Sequence, residues 1–231
     1  MKTAKFLIPL SMAFLFLALS ANAQRLSTRI KGEVRTLSES FDAIPEQRKS
    51  MLDQTAWTLT GVYQPEKGVD ILLIDSDNST ISQMGQAWLQ AAFYYFRLEG
   101  MNVGSGGLNA GQIDPRTLTV LENRSFKIKK GNSDLFEVDF GSGTWDFYSK
   151  AYNDPKNTQS DYVAILMDAA SQMELENVAS ADQIKKPLTY ELQEAGTGNT
   201  SVAQFDQLNE TIAREMIYIA HRIKLNFAEN Q

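Results

Sequence analysis

Val69-Asp70-Ile71-Leu72-Leu73-Ile74, then Asp75-Ser76-Asp77-Asn78-Ser79-Thr80, then Ile81-Ser82-Gln83-Met84 is the stretch whose reading decides the fold. The first six residues are mostly apolar and half are β-branched, the pattern of a strand covered on both faces. The next six are polar and read as a loop. Beyond them Met84, Trp88, Ala91 and Tyr95 recur at helical spacing. Gln83, Gln86, Gln90 and Arg97 are expected on the opposite, solvent-facing side of that helix. Strand, loop and helix in this order form the unit of a parallel α/β sheet.

The pattern extends in both directions. Upstream, helical periodicity first appears after Pro45, which suits a first helical turn, with Leu52, Ala56, Leu59 and Tyr63 as its buried stripe. Downstream, residues 101–108 form a Gly-rich strand end, and Asp114-Pro115 opens a helix through Glu122 as N-cap and first-turn proline. Residues 161–167 read as a second buried strand and 187–192 as a shorter one. The closing helix carries Phe205, Leu208, Ile212, Met216, Ile219, Ile223 and Phe227 at steps of three and four. Residues 126–152 break the alternation. β-rich runs separated by Gly131-Asn132 and Gly141-Ser142-Gly143 predict two or three antiparallel strands, an insertion packed on the sheet edge. It is too short to bury a core alone. The expected fold is a three-layer α/β domain with a mainly parallel four-stranded sheet, flanking helices and that insertion.

Composition narrows the function. The 231 residues contain no cysteine, which excludes thiol catalysis, disulfide exchange and thiolate metal sites. Residues 1–23 read as an export signal: Lys2 and Lys5, an apolar run of 14 residues at 6–19, and Ala21-Asn22-Ala23 as the cleavage site. The run is short of the roughly 20 residues that span a bilayer, so no membrane anchor is expected. One domain, 24–231, should then be released to the periplasm or outside the cell. Losing the two leader lysines takes the formal charge from −6 to −8. So acidic a protein is a poor partner for nucleic acid, whose binding rests on Lys and Arg neutralising phosphates.

The loop at 75–80 leads into a helix N-terminus, where backbone N–H groups and the helix dipole can cradle an anion. Here the sequence resembles the low-molecular-weight protein tyrosine phosphatases and the thioredoxin-type arsenate reductases, whose loop after the first strand is C-x5-R-S. Asn78, Ser79, Ser82, Gln83 and Met84 match it. Gly107-Leu108 through Asp114-Pro115-Arg116 is similar to the family's small-residue strand end and proline-started helix, and residues 152–163 and the final helix resemble an exported, arsenate-reductase-like branch. The resemblance implies the α/β fold, an oxyanion pocket and no cofactor. It also places the nucleophilic Cys at Asp75, the clamping Arg at Ile81 and a relay Cys at Asp168. The general-acid Asp-Pro pair would fall near 190–193, where the sequence has Tyr190-Glu191-Leu192-Gln193.

Those substitutions predict lost chemistry. A guanidinium offers phosphate two charge-assisted bonds and isoleucine none. Asp75 and Asp77 would each repel a bound dianion by about 4 kcal/mol per charge pair at 4 Å and an effective dielectric of 20. The expectation is an inactive phosphatase-like protein serving as a binding or scaffold module, its protein or small-molecule partner unknown. Its loop, Asp75, Ser76, Asp77, Asn78, Ser79, Thr80 and Ser82, would be a turn filled by the Asp75 carboxylate. The alternative is a Mg²⁺-dependent phosphatase of the haloacid dehalogenase type. There Asp75-Ser76-Asp77 is the D-x-D motif, Asp75 the nucleophile, and Asp75, Asp77 and Asp168 the cation ligands.

Other features read as structural. Trp145, Phe147, Tyr148 and Tyr152 could form a partner surface but more simply pack the insertion. His221, alone on the closing helix, reads as surface or packing. Lys127, Lys129 and Lys130 read as a solvated strand face, and Gly104-Ser105-Gly106-Gly107 as a tight strand end, since no Gly-Lys-Ser/Thr follows. Met84, Met167 and Met173 are expected in or near the core.

Overall fold

A computed structural model describes residues 25–64, 66–159, 161–176, 184–191 and 201–229. The leader read at 1–23 lies outside them, as do Leu192 and Gln193. Among the described residues no helix is long and apolar enough to cross a membrane.

Four strands form the main sheet: β1 (Val69–Asp75), β2 (Met101–Gly107), β6 (Tyr162–Leu166) and β7 (Ile184–Pro187), in the order β2-β1-β6-β7. Every pair is parallel, so the sheet is wholly rather than mainly parallel. β1 and β6 are central, and every residue of the two except Asp70 is buried, as their continuous apolar sequence requires. The last strand lies a few residues before its expected place. Pro187, without an N–H, ends the regular ladder. Leu188 and Tyr190 still donate to the Leu166 and Met167 carbonyls at 2.9 and 2.8 Å.

The helices are α1 (Thr28–Ser38), α2 (Glu46–Val62), α3 (Ile81–Phe96), α4 (Pro115–Asn123), α5 (Ala169–Leu175) and α6 (Val202–Glu229). α1 has no counterpart in the expected elements, and Pro45 occupies the N-cap of α2 rather than its first turn. α1 buries only Ile30, Val34 and Leu37 and begins with a Ser27 side-chain cap. α4 follows its sequence signal: Asp114 accepts from the Arg116 N–H at 2.8 Å, with Pro115 in the first turn.

α3 corrects the sequence reading. Every residue from Ser82 to Phe93 is buried, including Gln83, Gln86 and Gln90, because the helix is enclosed on all sides. Its glutamines survive burial by being bonded. Gln90 accepts from the Val103 N–H at 2.8 Å and donates to the Met101 carbonyl at 3.1 Å. Gln86 accepts from the Ser105 hydroxyl at 2.6 Å. Two polar side chains therefore fasten the helix to strand β2.

The insertion is a three-stranded antiparallel sheet, β3 (Lys127–Lys130), β4 (Phe136–Asp139) and β5 (Thr144–Phe147). It meets the sheet edge through one bridge, Gly107 to Ala151. Its aromatic side packs on helix α3 instead. Trp145 stacks on Phe140 at 4.5 Å between centroids, and both lie against Tyr94, while Phe126 meets Trp88 edge-on. Phe147 is fully buried. Lys127 and Lys129 are exposed and stand opposite Asp139 and Glu137, the expected solvated face. Met84 and Met167 are buried, whereas Met173 is 80% exposed, contrary to expectation, on the outer side of the short helix α5.

Candidate functional site

The loop between β1 and α3 lies at the carboxyl end of the central strand, the usual ligand position of an open α/β sheet. Its floor is the start of the segment after β2. Leu108, Asn109 and Gly111 donate their N–H groups to the carbonyls of Asp75, Ser76 and Asp77 at 2.9, 3.0 and 3.0 Å. Glycine is required where the two backbones touch. A Cβ on Gly107 would stand 2.6 Å from the Asp77 carbonyl carbon and 2.7 Å from the Asn78 nitrogen.

Asp75 is 3% exposed and turns its carboxylate into the loop. The Asn78 N–H donates to Oδ1 at 2.6 Å and the Ser82 N–H to Oδ2 at 2.8 Å. Ser82 is the second residue of α3, and the helix N-cap, Thr80, makes no side-chain cap bond. The orphan donor of the first turn is therefore satisfied by a carboxylate seven residues back. Asn78 takes the left-handed φ of 54° that brings its N–H inward, a conformation asparagine tolerates. Its side chain donates to the Ser82 hydroxyl at 2.8 Å and accepts from Gln83 Nε2 at 3.0 Å and the Lys150 N–H at 3.1 Å.

Two further loop donors are also taken. The Ser79 N–H donates to Asp77 Oδ1 at 2.9 Å. The Ser76 N–H donates to Asp168 Oδ2 at 2.8 Å, and the Ser76 hydroxyl bonds the same oxygen. Asp168 Oδ1 accepts from the Ser171 N–H at 2.8 Å, capping α5. Four backbone donors of an anion cradle, at 76, 78, 79 and 82, thus end on three of the protein's own carboxylates. Burial pushes the Asp75 carboxyl up to about 6, against the pull of the Ser82 and Asn78 donors, and Asp77 adds a smaller push.

Of the residues read from the sequence, Asp75, Ser76, Asp77, Asn78, Ser79, Thr80 and Ser82 lie in this loop and the first turn of α3, and Asp168, the N-cap of α5 just beyond β6, joins them. Ile81 is half-buried against the hydrophobic core. The structure does not gather Asp75, Asp77 and Asp168 into a cation site. Among the described residues no group of three or more metal-binding side chains is present. The carboxylate that the Mg²⁺-dependent alternative would use as nucleophile has both oxygens engaged by N–H donors, so this geometry does not favour that reading. Near the position where the resemblance puts a general acid, Tyr190 is buried and donates to Glu215 Oε2 at 2.6 Å. His221 packs between Phe41 and Phe96.

Sequence reading missed Ser149 and Lys150, and it matched Gln83 to the loop pattern while placing its side chain towards solvent. Gln83 Nε2 bonds the Asn78 backbone and side-chain oxygens and the Tyr148 carbonyl. The Ser149 hydroxyl donates to the Asp77 carbonyl at 2.7 Å. These join the insertion to the loop across about 70 residues of chain, and no local pattern carries that signal.

Solved structures with a similar chain path can be set beside this geometry. The chain is similar to a low molecular weight phosphotyrosine phosphatase from Vibrio cholerae, with 14% identity and a TM-score of 0.45 over 71% of this chain and 98% of that one. It is similar to an arginine phosphatase from Geobacillus stearothermophilus, with 13% identity and a TM-score of 0.47 over 71% and 97%. A third is an arsenate reductase in a phosphate-binding state, with 15% identity and a TM-score of 0.44 over 67% and 98%. The likeness is one of fold. No family model and no curated protein matches the sequence.

Proposed function

We propose that this chain is an exported, catalytically inactive relative of the low-molecular-weight phosphatases and arsenate reductases, acting as a binding or scaffold module in the periplasm or outside the cell. One observation carries the reading: the Asp75 carboxylate occupies the cradle of N–H groups that a substrate oxyanion would need. A phosphate dianion would have to displace that carboxylate and would then face Asp75, Asp77 and Asp168, with isoleucine at position 81 where the resemblance expects arginine. The frame of the pocket is kept as a structural turn that fixes the start of α3 to the carboxyl end of β1.

The test is enzymatic. Purified protein should neither hydrolyse p-nitrophenyl phosphate nor reduce arsenate, with or without Mg²⁺. Inorganic phosphate should leave the Asn78 and Ser82 amide resonances in place. Metal-independent turnover of the ester, or reduction of As(V), would sink the proposal. Asp75→Ser combined with Ile81→Arg should open the cradle, so that phosphate then moves both amides.

A further inference from the structure

Between the buried Phe147 and the bridge that pairs Ala151 with Gly107, residues 148–150 run alongside the closed loop. Hydrogen bonds fasten them to the loop, its floor and the first turn of α3. The Tyr148 carbonyl accepts from Gln83 Nε2 at 3.1 Å. The Ser149 hydroxyl donates to the Asp77 carbonyl at 2.7 Å and accepts a share of the Gly111 N–H at 2.9 Å. The Lys150 N–H donates to Asn78 Oδ1 at 3.1 Å. Apolar packing adds little, since Tyr148 belongs to neither hydrophobic cluster and is only half-buried, as is Ser149. Closure also leaves polar groups poorly satisfied. Gln83 is fully buried, and its Nε2 serves the Tyr148 carbonyl and both oxygens of Asn78, while its Oε1 has no partner. A buried acceptor left unpaired is unfavourable. Burial holds the Lys150 ammonium down at about 8 against the pull of Asp154 and Asp146. Few apolar contacts and ill-satisfied polar ones mark a segment of low local stability.

We propose that residues 148–150 form a releasable strap, which lifts while β1 and α3 stay in place and so uncovers Asn78 and the Asp75 carboxylate. The inference rests on the closed-loop reading and adds how access to that loop is regulated. Lifting hydrates Gln83 Oε1, Lys150 and Asp75 together, which offsets the loss of the bonds named above. The strap stays tethered at both ends, by Phe147 in the core and by the Ala151–Gly107 bridge, so it recloses in place. Release does not restore phosphatase chemistry, because Asp75 and Ile81 remain. A partner that binds the loop must meet the lifted form, and its apparent affinity is reduced by the fraction of molecules in which the strap is up. Access is thus set by the insertion.

The experiment is native-state hydrogen exchange on the full chain at pH 7, read at single amides. The Lys150 and Asn78 N–H groups should exchange together through one opening, about tenfold or more faster than those of β1 and β6. Ser149→Ala removes the hydroxyl that bonds both Asp77 and Gly111. It should speed exchange at Lys150 and Asn78 by about tenfold, the loss expected for one to two hydrogen bonds. The amides of β1 and β6, and the Ser76 N–H held by Asp168, should keep their rates. Ser149→Thr, which keeps the hydroxyl, should retain the original protection. Exchange of Lys150 and Asn78 only at the rate of global unfolding would overturn the proposal. So would Ser149→Ala rates equal to those of the unaltered protein, or a rise of the same size in β1. Should Ser149→Ala fail to fold, the comparison of Lys150 and Asn78 with the core amides of the unaltered chain decides by itself. Failure of the underlying reading looks different. Hydrolysis of p-nitrophenyl phosphate, or movement of Asn78 and Ser82 under phosphate, would refute the inactive closed loop whatever the exchange rates.

Discussion

Asp75 and Asp168 stand at the carboxyl ends of neighbouring parallel strands, and each ends on the first turn of a helix. Asp168 caps the helix that follows it directly, its carboxylate three residues from the donor it serves, and it remains half-buried. Asp75 caps its helix across a five-residue loop, is 3% exposed and has its carboxyl pushed up to about 6. The same chemical group makes an ordinary cap in one place and a plug in the other. What separates them is enclosure. Gly107, Ser149 and Gln83 close the loop around Asp75, and nothing equivalent surrounds Asp168.

That contrast breaks first at Gly107. Gly107→Val places side-chain carbon where the Asp77 and Asn78 backbone already lies, and no flexible side chain can yield. A loss of about 3 kcal/mol or more is expected in urea unfolding. An unchanged midpoint would mean that the loop is not pinned there.

Acidity sharpens it next. The Asp75 carboxyl binds its proton more tightly folded, at about 6, than in its ordinary range at 3.8. Its burial penalty is then fully present above pH 6 and is relieved as the pH falls towards 4. Relative to Asp75→Asn, the unaltered protein should gain stability over that window, by at most about 3 kcal/mol. A flat or opposite difference between the two unfolding curves would show that the donors outweigh burial.

The smaller effects come from the carboxylates themselves. Asp75→Ala strands two buried N–H donors but also removes the buried charge, so a net loss of about 2 kcal/mol at pH 7 is expected. Asp168→Ala forfeits a helix cap and the Ser76 contacts, for about 1 kcal/mol. Thermal unfolding of the pair checks the ranking, and an equal loss at both sites would remove the distinction drawn here.

Much of this was legible in the chain. The apolar runs of β1 and β6 announced buried parallel strands, and Asp114-Pro115 announced α4. The polar loop before Met84 announced the turn that joins β1 to α3. Helix α3 was misread because glutamines at helical spacing signal a solvent face, and only partners such as the Val103 N–H and the Ser105 hydroxyl make their burial tolerable. α1 escaped because three apolar residues and a serine cap make a weak periodic signal. β7 was placed late because its lysines, suited to an exposed edge, hide the strand.

The sequence alone determined that no sulfur nucleophile exists, that an aspartate and an isoleucine stand where the resemblance expects Cys and Arg, and that strand, loop and helix follow in the order of a parallel sheet. These are facts of composition and local period, which the chain carries residue by residue. Only tertiary structure decided that the Asp75 carboxylate turns inward onto the Asn78 and Ser82 N–H groups, and that the Lys150 N–H closes onto the Asn78 side chain beside them. Both depend on backbone from β2 and the insertion closing over the loop, contacts that form only when segments distant along the chain are packed together.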